Sequence, residues 1–213
     1  MSDPAGPRPA TEATRAAQAA VAATLPLDDP HDEGLATRGF LAPPSSPQVL
    51  GGHGGAVWDL DQYSFLDQEC PDTVNPSLWR QARLNRHAGL FEVAEGFYQV
   101  RGLDLANVTF IAGDRGWVVV DPLTASETAA AALALVNQQL GARPVTAVIY
   151  SHSHIDHFGG VLGVVEREQV ESGDVPIYAP EGFMDAAVSE NVSAGTAMTR
   201  RASYMYGALL PRG

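Results

Sequence analysis

Short runs of β-branched and aromatic residues occupy the middle of the chain. FYQVRG (97–102), NVTFIAG (107–113) and WVVVD (117–121) are separated by turns rich in Gly and Asp. This pattern predicts antiparallel strands. VTAVIY (145–150) is an apolar run of strand length, which predicts a strand buried on both faces. A shorter strand is predicted at residues 177–178.

Capping residues predict helices between and after these strands. Asn75 is a candidate N-cap, and Gly89 stands where that helix is expected to have ended. Thr124, with Glu127 three residues later, forms the pattern of a capping box for an Ala- and Leu-rich helix that ends near residue 140. Further helices are predicted over about residues 159–172 and from about residue 181.

The first part of the chain has a different composition from the rest. Residues 1–35 are rich in Ala, Pro, Thr and Asp and poor in large apolar side chains, so we expect them to be disordered or weakly helical. Prolines and paired glycines in residues 36–55 indicate a surface loop. We therefore expect the folded domain to span residues 36–213.

Composition excludes several classes of function. The 213 residues include 25 acidic residues and 13 basic ones, giving a formal charge of -12. This charge disfavours binding to nucleic acid or to an anionic membrane. All the basic residues are Arg, so lysine Schiff-base chemistry is excluded, and one Cys allows no internal disulfide. Because no segment is typical of a signal peptide or a membrane span, we expect a cytoplasmic protein that does not insert into membranes.

Metal-ligand residues are concentrated immediately after the run VTAVIY. His152, His154, Asp156 and His157 lie within six positions. In an extended chain, residues two apart point to the same side, so His152 and His154 can converge on one ion. Imidazole and carboxylate are ligands that Zn²⁺ takes when thiolate is absent. The sequence therefore predicts a metal site at the end of this strand.

The pattern HxHxDH at the carboxyl end of a strand resembles the metallo-β-lactamase superfamily. The flanking stretches, which include VWDLDQYSFL, GLFEVAEGFYQVRGLDLANVTFI, VIYSHSHIDHFGGVLGV and ENVSAGTAMTRRASYMYG, resemble the zinc-dependent alkylsulfatases that hydrolyse dodecyl sulfate. This resemblance covers about residues 36–210. It implies an α/β (α+β) fold, the αββα sandwich of the superfamily, of which this chain corresponds to the N-terminal half.

The same resemblance implies a function. One zinc ion is expected to bind His152 and His154, and a second to bind Asp156 and His157. Metal-bound water is then the nucleophile that converts alkyl sulfate esters to alcohol and inorganic sulfate. The family's C-terminal portion supplies further ligands, a sulfate pocket and a dimer interface, so a homodimer is expected for the complete form. The alternatives are hydrolysis of a thioester, lactone or phosphoester, or a truncated chain without catalytic activity.

Other polar residues are weaker candidates. Asp121, at a strand end, is expected to accept a hydrogen bond from a ligand histidine. Arg200 and Tyr204 could bind sulfate, although a helix packed against the missing half or a partner subunit is the favoured interpretation of their segment. Glu190 could in principle complete a metal site, but it is interpreted as a capping or solvated residue, and Cys70 is interpreted as a small packed residue.

Overall fold

A mixed β-sheet forms the centre of the fold. The computed structural model describes residues 8–207 and 209. Its strands are β1 (Phe40–Ala42), β2 (Gln48–Leu50), β3 (Ala56–Asp59), β4 (Gly89–Ala94), β5 (Phe97–Arg101), β6 (Val108–Ala112), β7 (Trp117–Val120), β8 (Val145–Ile149) and β9 (Ile177–Tyr178). Seven of these form one sheet in the order β1-β4-β5-β6-β7-β8-β9, and β2 pairs with β3 in a separate hairpin.

Strand pairing changes once across the large sheet, from antiparallel to parallel. Neighbours from β1 to β7 pair antiparallel, which confirms the prediction for residues 97–121. The β7–β8 and β8–β9 pairs are parallel. Parallel neighbours need a long crossover connection, and a helix between β7 and β8 provides it.

Seven α-helices surround the sheet in the described part of the chain. They are α1 (Glu12–Thr24), α2 (His31–Thr37), α3 (Pro76–Leu84), α4 (Ser126–Leu140), α5 (Arg167–Glu171), α6 (Phe183–Val188) and α7 (Gly195–Met205). Asn75 caps α3 as predicted, because its side chain accepts from the backbone N–H groups of Ser77 and Leu78. Within residues 8–207 and 209, no helix is both long and apolar enough to cross a bilayer.

The core lies between one face of the sheet and α4. Phe110, Val119 and Val148 are in register on three adjacent strands and are fully buried. Val136 of α4 belongs to the same buried cluster. Burial of each such side chain contributes about 1.5–3 kcal/mol. This mixed architecture confirms the α/β class.

The opposite face of the sheet is only half-buried. Ala147 and Ile149 of β8, and their neighbours Val118 and Val120 of β7, all retain partial exposure. The prediction that residues 145–150 are buried on both faces is therefore wrong. An apolar run reports the hydrophobicity of a strand but not the number of layers that cover it.

Three local predictions also need correction. Residues 36–55 do not form a plain loop, because they contain β1 and β2, whose partners lie elsewhere in the chain. Gly89 does not follow a helix end, since α3 ends at Leu84 and Gly89 begins β4. Residues 159–172 form a 3₁₀ turn (Val161–Gly163) and the short α5 rather than one helix.

The predicted capping box of α4 is absent. The N-cap residue is Ala125, whose side chain makes no capping hydrogen bond. The hydroxyl of Thr124 instead donates to Asp104, 2.7 Å away. Asp104 lies in the loop between β5 and β6, so a long-range carboxylate replaces the local capping pair.

Candidate metal centre

The HxHxDH motif leaves the sheet where β8 ends. Tyr150 still pairs with the sheet, because its N–H donates to Tyr178 O at 2.8 Å. The next residue, Ser151, donates its N–H to Asp121 Oδ1 at 2.7 Å. The chain then turns through a 3₁₀ segment, Ile155–His157. All four predicted ligands therefore lie on one short connection at the carboxyl edge of the parallel strands.

The four candidate ligands form two pairs of donor atoms. His152 Nε2 lies 3.0 Å from His154 Nδ1, and His157 Nε2 lies 3.4 Å from Asp156 Oδ2. Two ligands bound tetrahedrally to zinc at about 2.0–2.1 Å are about 3.3 Å apart. The spacing within each pair therefore fits one shared ion. Because the centroids of the His152 and His157 rings are 4.1 Å apart, the two pairs are also adjacent.

Asp121 fixes the tautomers of two of these histidines. An ionised carboxylate only accepts hydrogen bonds, so His157 Nδ1, 2.9 Å from Asp121 Oδ2, carries the proton. Ser151 Oγ donates to the same Oδ2 at 2.6 Å, and it therefore accepts from His152 Nδ1 at 2.9 Å. Both Nε2 atoms are left with free lone pairs. The contact with His157 is the position that the sequence analysis expects for Asp121.

Glu190 lies beside the third histidine. Its Oε1 atom is 3.2 Å from His154 Nε2, and its side chain is 28% exposed. The π-helical turn Ser189–Ser193 carries this residue, and such turns are frequent at functional sites. The interpretation of Glu190 as a capping or solvated residue is therefore wrong. No local sequence signal connects it with a histidine 36 positions earlier.

His154 Nδ1 lies 3.0 Å from His152 Nε2, and His154 Nε2 lies 3.2 Å from Glu190 Oε1. Because His152 Nδ1 carries its proton, His152 Nε2 presents a lone pair to His154, which a proton on His154 Nδ1 or a metal ion between the two nitrogens would satisfy. His152 and His157 thus each have an Nδ1 held by an oxygen and an Nε2 available to a metal, and His154 has a carboxylate beside its Nε2. This is the usual arrangement of metal-binding histidines and their supporting partners.

Strained backbone supports the motif from the neighbouring loop. Asp121 and Leu123 have φ angles of 56° and 64°, a region that residues other than glycine rarely adopt. Leu123 O accepts from Gly160 N at 2.9 Å. A Cβ atom on Gly160 would lie 2.3 Å from Pro122 O, and one on Gly159 would lie 2.5 Å from Thr124 O. Only glycine lets these two segments approach so closely.

An aromatic cluster lies under the motif. Tyr150 packs against Phe158 and Phe183, with ring centroids 5.8 Å and 5.4 Å away. Burial raises the pKa of the Tyr150 phenol to about 12, because a phenolate is poorly solvated among apolar rings. Tyr150 therefore remains a neutral packing residue at neutral pH.

The remaining candidates lie outside the histidine cluster. Arg200 and Tyr204 are exposed residues of α7. In the part of the chain that is described, neither makes a hydrogen bond or ion pair with the cluster, and their role in sulfate binding stays a prediction. Cys70 is exposed rather than packed, which corrects the interpretation made from sequence. Partial desolvation raises its thiol pKa, and this disfavours the reactive thiolate.

The donor set fits zinc in chemistry and pairwise spacing, but it supplies only two ligands to each ion. Among residues 8–207 and 209, no three His, Cys, Asp or Glu side chains form a group able to hold a metal. Zinc sites use three or four protein ligands. The chain therefore presents two adjacent pairs of donor atoms, each with fewer ligands than a zinc site needs.

Comparison with known proteins places this geometry in a family. The model of the metallo-beta-lactamase superfamily matches residues 101–207. The chain is 52% identical over 206 residues to a linear primary-alkylsulfatase of Pseudomonas sp, covering 96% of this chain and 31% of that protein. It is 52% identical over 207 residues to an (R)-specific secondary-alkylsulfatase of Pseudomonas sp, with 97% and 31% covered.

A solved structure shows the same fold. The stereoselective inverting sec-alkylsulfatase Pisa1 from Pseudomonas sp. superposes with a TM-score of 0.89 and 53% identity, over 97% of this chain and 32% of that one. The chain thus spans about a third of the length of these relatives. The HxHxDH motif, the mixed sheet and the family match agree, and the chain belongs to the metallo-β-lactamase superfamily.

Proposed function

We propose that this chain supplies the HxHxDH half of a two-zinc site that hydrolyses alkyl sulfate esters to alcohol and inorganic sulfate. One observation carries the proposal: His152 Nε2 and His154 Nδ1 lie 3.0 Å apart, a spacing that suits one shared ion, while Ser151 holds the outer nitrogen of His152 and Glu190 lies beside that of His154. Zinc is the ion of choice because histidine and carboxylate suit it. The names of the relatives support sulfate esters as substrates.

In this proposal, His152 and His154 hold the first ion and Asp156 and His157 the second. Zinc held there would supply an acidified water as the nucleophile at neutral pH. Asp121 keeps the His157 proton on Nδ1 and, through Ser151, the His152 proton on Nδ1. Tyr150, Phe158 and Phe183 pack against one another next to the ends of the motif in sequence and space.

We further propose that the missing ligands and the sulfate pocket come from a C-terminal portion of the kind that makes the relatives three times longer. The protein's charge of -12 repels an anionic substrate at long range. Attraction of the sulfate must therefore be local, from the metal ions and from guanidinium groups such as that of Arg200. The homodimeric state and the cytoplasmic location stay predictions.

Sulfate release tests the proposed function. Chain 1–213 with zinc is assayed on dodecyl sulfate, alone and after addition of a C-terminal portion from a Pseudomonas relative. We expect no useful turnover from the chain alone and zinc-dependent turnover from the mixture. His152→Ala should abolish that turnover. An acyl thioester serves as the competing substrate.

Two outcomes would contradict this proposal. Turnover of dodecyl sulfate at about 1 per second by the chain alone would show that its site is complete. Thiol release from the acyl thioester by the mixture, without sulfate release from dodecyl sulfate, would assign a different hydrolase activity.

A further inference from the structure

The carboxylate of Asp104 is buried, lies far from the HxHxDH motif in sequence and accepts five hydrogen bonds. Asp104 is 7% exposed. Its carboxylate accepts from the backbone N–H groups of Leu105, Thr124 and Ala125 at 2.6, 3.2 and 3.3 Å. The hydroxyls of Thr124 and Thr128 also donate to it. A charge buried to this extent is tolerated only when its acceptor sites are satisfied in this way.

Four of these five donors belong to one segment at the start of α4. The helix has no side-chain cap of its own, and the backbone N–H groups that donate to Asp104 from this side belong to Thr124 and Ala125, the two residues immediately before it. The negative charge of Asp104 is also favourable near the N-terminus of a 15-residue helix. Asp104 therefore fixes the backbone of residues 124–125 from the side of the β5–β6 loop.

The other side of the same backbone contacts Gly159 and Gly160, which immediately follow the HxHxDH motif. Gly160 N donates to Leu123 O at 2.9 Å, and the Cβ-free surfaces of Gly159 and Gly160 face the carbonyl oxygens of residues 122, 124 and 125. Asp121, at the start of this segment, holds Ser151 and His157. One side of the segment thus contacts Asp104 and the other contacts the motif.

We propose that Asp104 is a positioning residue for the HxHxDH motif. The strained φ angles at Asp121 and Leu123 persist only where surrounding contacts over-determine them. The hydrogen bonds to Asp104 supply those contacts immediately after Leu123. Through this segment, Asp104 maintains two hydrogen bonds, one between the Asp121 carboxylate and His157 and one from Gly160 N to Leu123 O. The inference rests on the proposed function only where it treats the motif as a zinc site.

Amide hydrogen exchange in chain 1–213 without metal tests this inference. Asp104→Asn keeps the size of the side chain but removes its charge and half of its acceptor capacity. We expect the Ser151 and Gly160 amides to exchange at least tenfold faster than in the unaltered chain. Leu135→Ala, a core change in α4, is the matched control, because it should speed exchange in β7 and β8 and leave these two amides within about twofold.

Thr128→Val removes a single hydrogen-bond donor to Asp104. It is the alternative test variant if Asp104→Asn does not fold. Its effect on the Ser151 and Gly160 amides should be in the same direction and smaller. The inference is overturned if these amides stay within twofold of the unaltered chain in both variants. It is also overturned if Leu135→Ala accelerates them as much as Asp104→Asn does.

Zinc titration of the same proteins separates this inference from the proposed function. If the unaltered chain binds zinc, Asp104→Asn should weaken that binding about 10- to 100-fold, as loss of supporting residues does at other metal sites. Equal zinc affinity in the two proteins would overturn the positioning role. If the unaltered chain mixed with the C-terminal portion takes up no zinc while exchange at Ser151 and Gly160 still accelerates in the variant, the proposed function fails and the role of Asp104 in the loop is supported.

Discussion

The two halves of the HxHxDH motif differ in how firmly the fold holds them. The side chains of Asp156 and His157 are each 22% exposed, and Asp121, only 14% exposed, holds His157 from the adjacent strand. By contrast, His154 is 56% exposed and has Glu190 as its partner, on the helical region after β9. The Asp156–His157 half is therefore set by the core sheet. In the other half His152 is tied to Asp121 through Ser151, whereas His154 depends on a peripheral helix.

This difference has a consequence for metal binding. A half-site held by buried hydrogen bonds needs little ordering when an ion arrives, whereas an exposed histidine must lose side-chain freedom. We therefore expect the half built on Asp121 to be the better organised of the two. The following substitutions test that contrast, from the largest expected effect to the smallest.

Removal of Asp121 should break the better-held half. Asp121→Ala leaves Ser151 N and His157 Nδ1 without their acceptor and puts alanine at a φ of 56°. We expect a loss of about 2–4 kcal/mol in the free energy of unfolding, measured in urea. Asp121→Asn keeps an acceptor oxygen and tolerates the positive φ, so it should lose about 1 kcal/mol. Equal losses in the two variants would contradict this account of Asp121.

A side chain at Gly160 should also disturb the Asp156–His157 half, because Gly160 lies just after it in the chain and packs against residues 122–125. Gly160→Ala places a Cβ atom 2.3 Å from Pro122 O and 2.6 Å from Ala125 O, and we expect a loss of about 2–3 kcal/mol in unfolding free energy. Gly34→Ala is the control, since its Cβ would meet nothing within 4 Å inside α2. That change should gain about 0.5–1 kcal/mol. A neutral Gly160→Ala would show that the two segments are not in close contact.

The free energy of unfolding should fall at alkaline pH because Tyr150, next to the motif, is buried. Its folded-state pKa of about 12 lies above the ordinary value of 10.0, so the native state retains this proton after the unfolded chain has lost it. Stability is unaffected below pH 10 and falls as pH rises from about 10 to 12, by up to about 2 kcal/mol. Tyr150→Phe should remove this slope. An unchanged slope in the variant would assign the pH dependence to other groups.

Loss of Glu190 should have the smallest effect on stability, because His154 is mostly exposed. Glu190→Ala should change the unfolding free energy by less than about 0.5 kcal/mol. The imidazole of His154 should nevertheless begin to exchange between its two tautomers in ¹⁵N NMR spectra, while that of His157 stays fixed. Glu190→Gln, which retains an acceptor oxygen, is the control. A His154 signal that is identical in all three proteins would mean that Glu190 does not hold this ring.

Local chemistry explains which features the sequence could predict. The strands at 97–101, 108–112 and 117–120 have their signal in their own residues and neighbouring turns. The HxHxDH motif is equally local, since six positions and one strand end determine its geometry. Asn75 caps α3 because an N-cap needs only the next few residues.

Features that depend on distant partners were missed for a common reason. Thr124 matches a local capping pattern, but Asp104, 20 residues away, takes its hydroxyl. The glycines at 159 and 160 allow a close backbone approach, but the sequence does not show that the segment they approach is residues 122–125. Glu190 has no neighbour in sequence that would connect it with His154. In each case the missing information is which segments meet.

The central claim is that the inner nitrogens of the three histidines bind metal while oxygen partners hold the outer ones. Titration of zinc into ¹⁵N-histidine-labelled chain 1–213 tests it most directly by NMR. The account predicts that His157 Nε2 responds first, followed by His152 Nε2 and His154 Nδ1, and that the Nδ1 proton of His157 stays in place throughout. Zinc-dependent shifts at the outer nitrogens, or at His31 and His53 with none at the motif, would contradict it.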